Sequence, residues 1–212
     1  MEFPKISGRT KQRVIRPIST EGIFLLEKHL EGEKLKLMLL ISYFCGLRLG
    51  GLLKLNIMSF NWDKWKTNTE EAGEVIVHEK GDKEGIAYVP SFLMRRIARF
   101  IRSTHFNAID NRLFINSEED IKLKDRGRIW QMRLREAGIR SGISKLKENG
   151  EVIDGTGVHP HRLRHSYATH LLEKGLNLSE IKEALRHSSI QSTQIYTHIN
   201  RAELKEKLNL QN

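Results

Sequence analysis

The chain has 212 residues, 39% of them hydrophobic, which is enough for one sizeable core. Its 36 lysines and arginines against 26 acidic residues give a net charge of +10, favouring a polyanionic partner, nucleic acid ahead of an anionic membrane surface. The single cysteine, Cys45, excludes an internal disulfide and a cysteine-built zinc site.

In chain order, residues 1–18 are polar, basic and unpatterned, and read as a linker or arm ahead of a domain spanning 19–212. They contain no apolar signal core, so the expected location is the cytoplasm. "STEGIFLLEKHL" offers Ser19 and Thr20 as helix caps, followed by helical spacing at Ile23, Leu26 and Leu30. "KLKLMLLISYFCG" predicts a second helix, apolar nearly all round and therefore central. Its apolar run falls well short of the roughly 20 residues that span a bilayer, so no membrane role is expected. "LRLGGLLKL" follows, with Arg48 at the junction.

The period then changes. "EVIVHEK" and "GIAYVP" predict two short strands joined through Gly81-Asp82-Lys83 as an antiparallel hairpin. "SFLMRRIARFIRS" returns to helix, with Leu93, Ile97 and Phe100 opposite Arg95, Arg99 and Arg102. "RGRIWQMRLREAG" predicts a helix stopped by Gly138, and Asn149-Gly150 a type I′ hairpin turn. Pro160 suits a first helical position, and Gly175 ends that helix. "LSEIKEAL", "SIQSTQIY" and "RAELKEKL" complete a helical last third. The expected fold is mostly α with a small antiparallel β-hairpin sheet, an α+β domain.

Polar groups inside apolar patterns are the candidates for chemistry. Arg48 follows an apolar helix, where an unpaired charge is costly, so it points toward an anion or into a buried salt bridge. His161 and Arg164 lie three apart, on one helical face, and combine a proton carrier with a planar fork suited to phosphate. Taken alone, either residue is more readily a capping histidine or a solvated arginine, both common at helix starts. His161 and His165 are spaced as a metal edge, but no H-E-x-x-H or nearby cysteine supports zinc, and no metal is expected. Tyr196, after a Ser/Thr-rich stretch, is by itself an ordinary amphipathic tyrosine.

Taken together, the segment "HPHRLRHSYATHLLEKGLNLSEIKEALRHSSIQSTQIYTHI" and the earlier "GLRLGGLLKL" resemble the tyrosine recombinase (integrase) family, Xer-type members above all, over about residues 19–205. The resemblance implies the fold of that family's catalytic domain and a site made of Arg48, Lys80, His161, Arg164, His187 and Tyr196, with Lys83 a weaker alternative to Lys80. Two positions depart from the pattern. Gly51 stands where the family usually has a carboxylate, and Arg186 replaces the usual glycine before the late histidine. The family's N-terminal DNA-clamping domain is absent from these residues, so an isolated catalytic fragment or a minimal enzyme is expected.

The resemblance further implies cleavage of double-stranded DNA at recombination sites through a 3′-phosphotyrosine, without metal, ATP or other cofactor. Arg48 and Arg164 would clamp the phosphate oxygens with help from His187. Tyr196 would attack phosphorus, His161 would take its proton, and Lys80 would protonate the leaving 5′ oxygen. Self-assembly on DNA as a tetramer is the expected partnership. A type IB topoisomerase and a catalytically weakened DNA-binding module are the alternatives.

Overall fold

Ser19 opens the first helix, α1 (Thr20–Lys28): its hydroxyl accepts the Gly22 amide at 3.2 Å, satisfying one of the donors a helix start leaves over. The computed structural model describes residues 15–78, 84–103, 112–114 and 123–186. Residues 15–18, the end of the segment read as an arm, are fastened to the domain. The Ile18 amide donates to Ser166 Oγ at 2.8 Å, and the Ile18 side chain is buried.

The second helix, α2 (Gly32–Phe44), buries every residue from Leu37 to Tyr43. A helix apolar on all sides is stable only when covered on all sides. Here α1, α5 (Ser91–Ser103) and α7 (Pro160–Glu173) pack around it, and α3 (Leu49–Lys54) follows it directly. At about 1.5–3 kcal/mol for each large apolar side chain withdrawn from water, this helix carries much of the core energy. Arg96 of α5 ties the layer together, pairing with Glu27 of α1 at 2.6 Å and with both carboxylate oxygens of Glu33 on α2.

The predicted hairpin is present as β1 (Gly73–His78) and β2 (Glu84–Val89), antiparallel, with Ile76 opposite Ile86. Val75, Val77, Ala87 and Val89 face the core, while Ile76, Ile86 and Tyr88 face out. The connecting residues 79–83, with Lys80, Lys83 and the predicted turn, lie outside the described residues. So do "SIQSTQIY", "RAELKEKL", His187 and Tyr196.

A short helix that sequence pattern did not reveal, α4 (Trp62–Thr67), begins at Asn61, whose side chain accepts the Lys64 amide at 3.2 Å. Six residues are too few to display a period. Its indoles hold the chain in place through hydrogen bonds, Trp62 to the Ile57 carbonyl at 2.8 Å and Trp65 to the Glu71 carbonyl at 3.2 Å.

Two local expectations are corrected. The helix α6 (Leu123–Arg140) runs through Gly138 rather than stopping there. A Cβ on Gly138 would lie 2.6 Å from Val158 Cγ2 and 2.7 Å from Ser144 Oγ, so the glycine serves close packing, and the chain turns instead at Gly142 with φ +70°. The Asn149-Gly150 turn is not type I′. Gly150 alone has positive φ, at 81°, and its amide donates to the Lys147 carbonyl at 3.0 Å. This is a type I turn closed by a glycine bulge, which suits a three-residue loop. Beyond it the pairing is a single bridge, Leu146 to Val152.

The last described helix, α8 (Leu178–Ala184), starts from an Asn177–Glu180 capping box and packs on α7 through Tyr167, Ala168, Ile181 and Leu185. Among the described residues, no helix is long and apolar enough to cross a membrane.

Candidate functional site

The site is built from the start of α7. His159 caps that helix, its Nδ1 accepting the Arg162 amide at 3.2 Å, and Pro160 occupies the first helical position. An accepting Nδ1 must be unprotonated. Desolvation, reinforced by neighbouring His161 and Arg162, lowers the His159 pKa in that direction.

Arg164 comes one turn later and is 5% exposed. Its two terminal nitrogens donate to different segments, Nη1 to the Gly46 carbonyl and Nη2 to the Leu185 carbonyl. Gly46 lies two residues before Arg48, and Leu185 two residues before His187. One guanidinium therefore clasps the loop that leads into Arg48 and the helix end that leads toward His187. Bonds to these two backbone carbonyls fix the direction of the fork.

Arg48 is the N-cap residue of α3, partly exposed, with extended backbone at φ −71° and ψ 152°. The loop before it turns at Gly46, where φ is +59° and a Cβ would lie only 2.4 Å from Tyr167 Cδ1. Only glycine satisfies both conditions. Gly51, one helical turn after Arg48, faces the end of β1: a Cβ there would stand 3.5 Å from the His78 carbonyl oxygen. The strand leading to Lys80 thus approaches α3 beside Arg48. His161 is exposed on the first turn of α7, whereas His165 is buried, with its pKa lowered chiefly by desolvation. The two therefore do not share an open edge.

Of the six residues singled out by sequence, Arg48, His161 and Arg164 are described. Lys80, His187 and Tyr196 lie outside the described residues, although chain segments leading to the first two converge on Arg164 and Arg48. Three of the chain's 4 tyrosines are described. Tyr43 is buried and donates to or accepts from Thr20 at 3.1 Å, with its phenol raised by burial. Tyr167 is a packing wedge whose phenol burial pushes up to about 12, with buried Cys45 adding to the effect. Tyr88 faces out from the hairpin, away from the core.

Two more arginines belong to this neighbourhood and were not assigned from sequence. Arg162 is 4% exposed and donates to the carbonyls of Arg16, at 2.8 Å, and Thr156; desolvation lowers its pKa to about 10. Arg186 donates to Ala184 at 2.8 Å and to Cys45 and Gly46 at 3.3 Å each. For Arg162 the sequence carries no distinct signal, since its helical neighbours His159, His165, Ser166 and Thr169 are polar. For Arg186 the signal was an arginine where a helix end calls for glycine.

The family model described as the phage integrase family matches residues 24–203. Tyrosine recombinase XerD of Staphylococcus aureus is 30% identical over 184 residues, covering 85% of this chain and 55% of its own. XerD of Staphylococcus saprophyticus is 29% identical over the same length. The chain spans about half the length of these curated relatives. Among solved structures, XerA recombinase superposes with a TM-score of 0.68 at 23% identity, over 93% of this chain and 65% of its own. XerH recombinase, bound to a palindromic difH substrate, gives 0.73 at 20% identity over 97% and 56%. The catalytic domain of bacteriophage HP1 integrase gives 0.55 at 18% identity over 92% and 94%. These share the fold.

Proposed function

Because the chain belongs to the phage integrase family, we propose that it is the catalytic domain of a site-specific DNA recombinase, cutting and rejoining duplex DNA through a 3′-phosphotyrosine. The observation that carries the proposal is the Arg164 clasp. A buried guanidinium, held by carbonyls from two distant parts of the chain, is oriented in advance for a phosphate oxygen.

In this reading Arg48 and Arg164 bind the non-bridging oxygens of the scissile phosphate, and His187 adds a hydrogen bond as negative charge grows in the transition state. Tyr196 is the nucleophile: its oxygen forms the bond to phosphorus as the bond to the 5′ oxygen breaks. His161, exposed and one turn from Arg164, accepts the tyrosine proton. Lys80, two residues on in sequence from the end of β1 at His78, donates a proton to the departing 5′ oxygen. Tyr43 and Tyr167 are poor alternatives to Tyr196 because burial raises both phenols. The phosphotyrosine retains the energy of the broken diester, so a 5′-hydroxyl can reverse the attack without ATP. Two arginines supply the charge stabilisation that a metal provides elsewhere.

The partner is duplex DNA carrying a recombination site, like the difH substrate bound by XerH, and the chain assembles on it as a tetramer in the cytoplasm. The test is covalent capture from a library of random-sequence duplexes at low salt in EDTA, followed by strand exchange between two copies of a captured duplex. Enrichment of related sequences that then exchange strands is the expected result. Indiscriminate relaxation of supercoiled plasmid without enrichment would assign a topoisomerase instead. Binding without any covalent capture would leave a DNA-binding module.

A further inference from the structure

Arg186 has φ +55°, the left-handed region in which a side chain is strained and glycine is at ease. An arginine there must be held by what its side chain does. Its guanidinium donates to Ala184 on its own helix end and reaches across to Cys45 and Gly46 on the loop before Arg48. The Gly46 carbonyl is the same acceptor that Arg164 grips from α7. On the other side, the stem of Arg186 lies flat on Gly85 of β2, where a Cβ would come within 2.8 Å of its Cδ. Arg186 therefore touches the helix end, the Arg48 loop and the hairpin at once.

We propose that Arg186 is a positioning residue for Arg164, pinning the shared Gly46 carbonyl so that the Arg164 fork keeps one orientation, with Gly85 as the flat seat for its stem. Two lone pairs on one carbonyl oxygen accommodate two donors, and a carbonyl held by a second element cannot swing with the first. This rests on the reading that Arg164 meets the scissile phosphate, but its structural half does not depend on DNA.

The experiment uses the full chain with Arg186→Gly, Arg186→Lys, Gly85→Ala and the Gly85→Ala/Arg186→Gly pair. Arg186→Gly relaxes the strained backbone, so the fold is kept. Side-chain ¹⁵N NMR of the free protein reads the Arg164 guanidinium, assigned by its loss in Arg164→Lys. Its resolved Nη–H signals should broaden in Arg186→Gly and in Gly85→Ala. In the covalent-capture assay on the random duplex library, Arg186→Gly should slow adduct formation at saturating DNA by about tenfold or more, as misplaced catalytic groups do. The half-saturating DNA concentration should change far less. Arg186→Lys keeps the charge but not the fork, and should be nearly as slow. Gly85→Ala should slow the wild type and add nothing to Arg186→Gly.

Unchanged Arg164 signals in Arg186→Gly would overturn the proposal. So would a full rate with Arg186→Lys, or a loss confined to the half-saturating concentration, which would make Arg186 a phosphate contact. If the wild type forms no adduct, the proposed function fails, and the NMR comparison alone decides the positioning role.

Discussion

Gly51 sits in the first turn of α3, where a Cβ would make only an ordinary contact with the His78 carbonyl. Nothing steric requires glycine there. Gly51→Ala should therefore stabilise the protein by about 0.5–1 kcal/mol, because alanine loses less backbone freedom on folding. A fall in denaturation midpoint would show that the position is tighter than its geometry. Lys80→Ala should slow cleavage of ordinary DNA far more than cleavage of DNA with a 5′-bridging sulfur, since a thiolate leaves without a proton donor. Equal slowing on both substrates would move the acid to Lys83 or elsewhere. At this scale the sequence exposes residues whose cost is visible in one dimension, such as Arg48 after an apolar helix. It marks Arg186 only as an arginine in place of a glycine; the partners on residues 45 and 46 are brought to it by folding.

Among the elements, α7 is the one whose integrity the site needs most, and its start is sensitive to acid. His159 must stay neutral to accept the Arg162 amide, and its pKa is lowered by desolvation. His165 and His170 on the same helix are lowered for the same leading reason. A histidine whose folded pKa lies below its unfolded value binds its proton more readily after unfolding. Its stabilising contribution is complete above the unfolded pKa of about 6.5 and is lost as pH falls through the folded value. Thermal stability should accordingly fall as pH drops below about 6.5, and His159→Asn, which caps without titrating there, should weaken that slope. An unchanged slope in His159→Asn would place the sensitivity in His165 and His170.

The longer elements were legible because apolar residues repeat along them: α2 through continuous burial, α5 through one stripe, and the hairpin through alternation. Helix α4 was not, since six residues show no period and its indole hydrogen bonds reach outside the helix. Gly138 resembles a helix stop in sequence because the near approach of Val158 and Ser144, which explains it, comes from tertiary packing.

At the scale of the molecule, the site gathers chain segments far apart in sequence, and Arg164 is the residue at which they meet. Its two carbonyl partners are separated from it by 118 and 21 positions. The net charge of +10 belongs to the whole chain and favours a polyanionic partner. The proposed chemistry turns on one bond, between Tyr196 and a DNA 3′ phosphate. Incubation of the chain with captured duplex in EDTA, denaturation, nuclease trimming and peptide mass mapping would locate that bond. The expected product is a nucleotide joined through its 3′ phosphate to the peptide containing Tyr196, with no adduct in Tyr196→Phe. Attachment to another tyrosine, a 5′-phosphate linkage, or an adduct formed only with added divalent metal would contradict it.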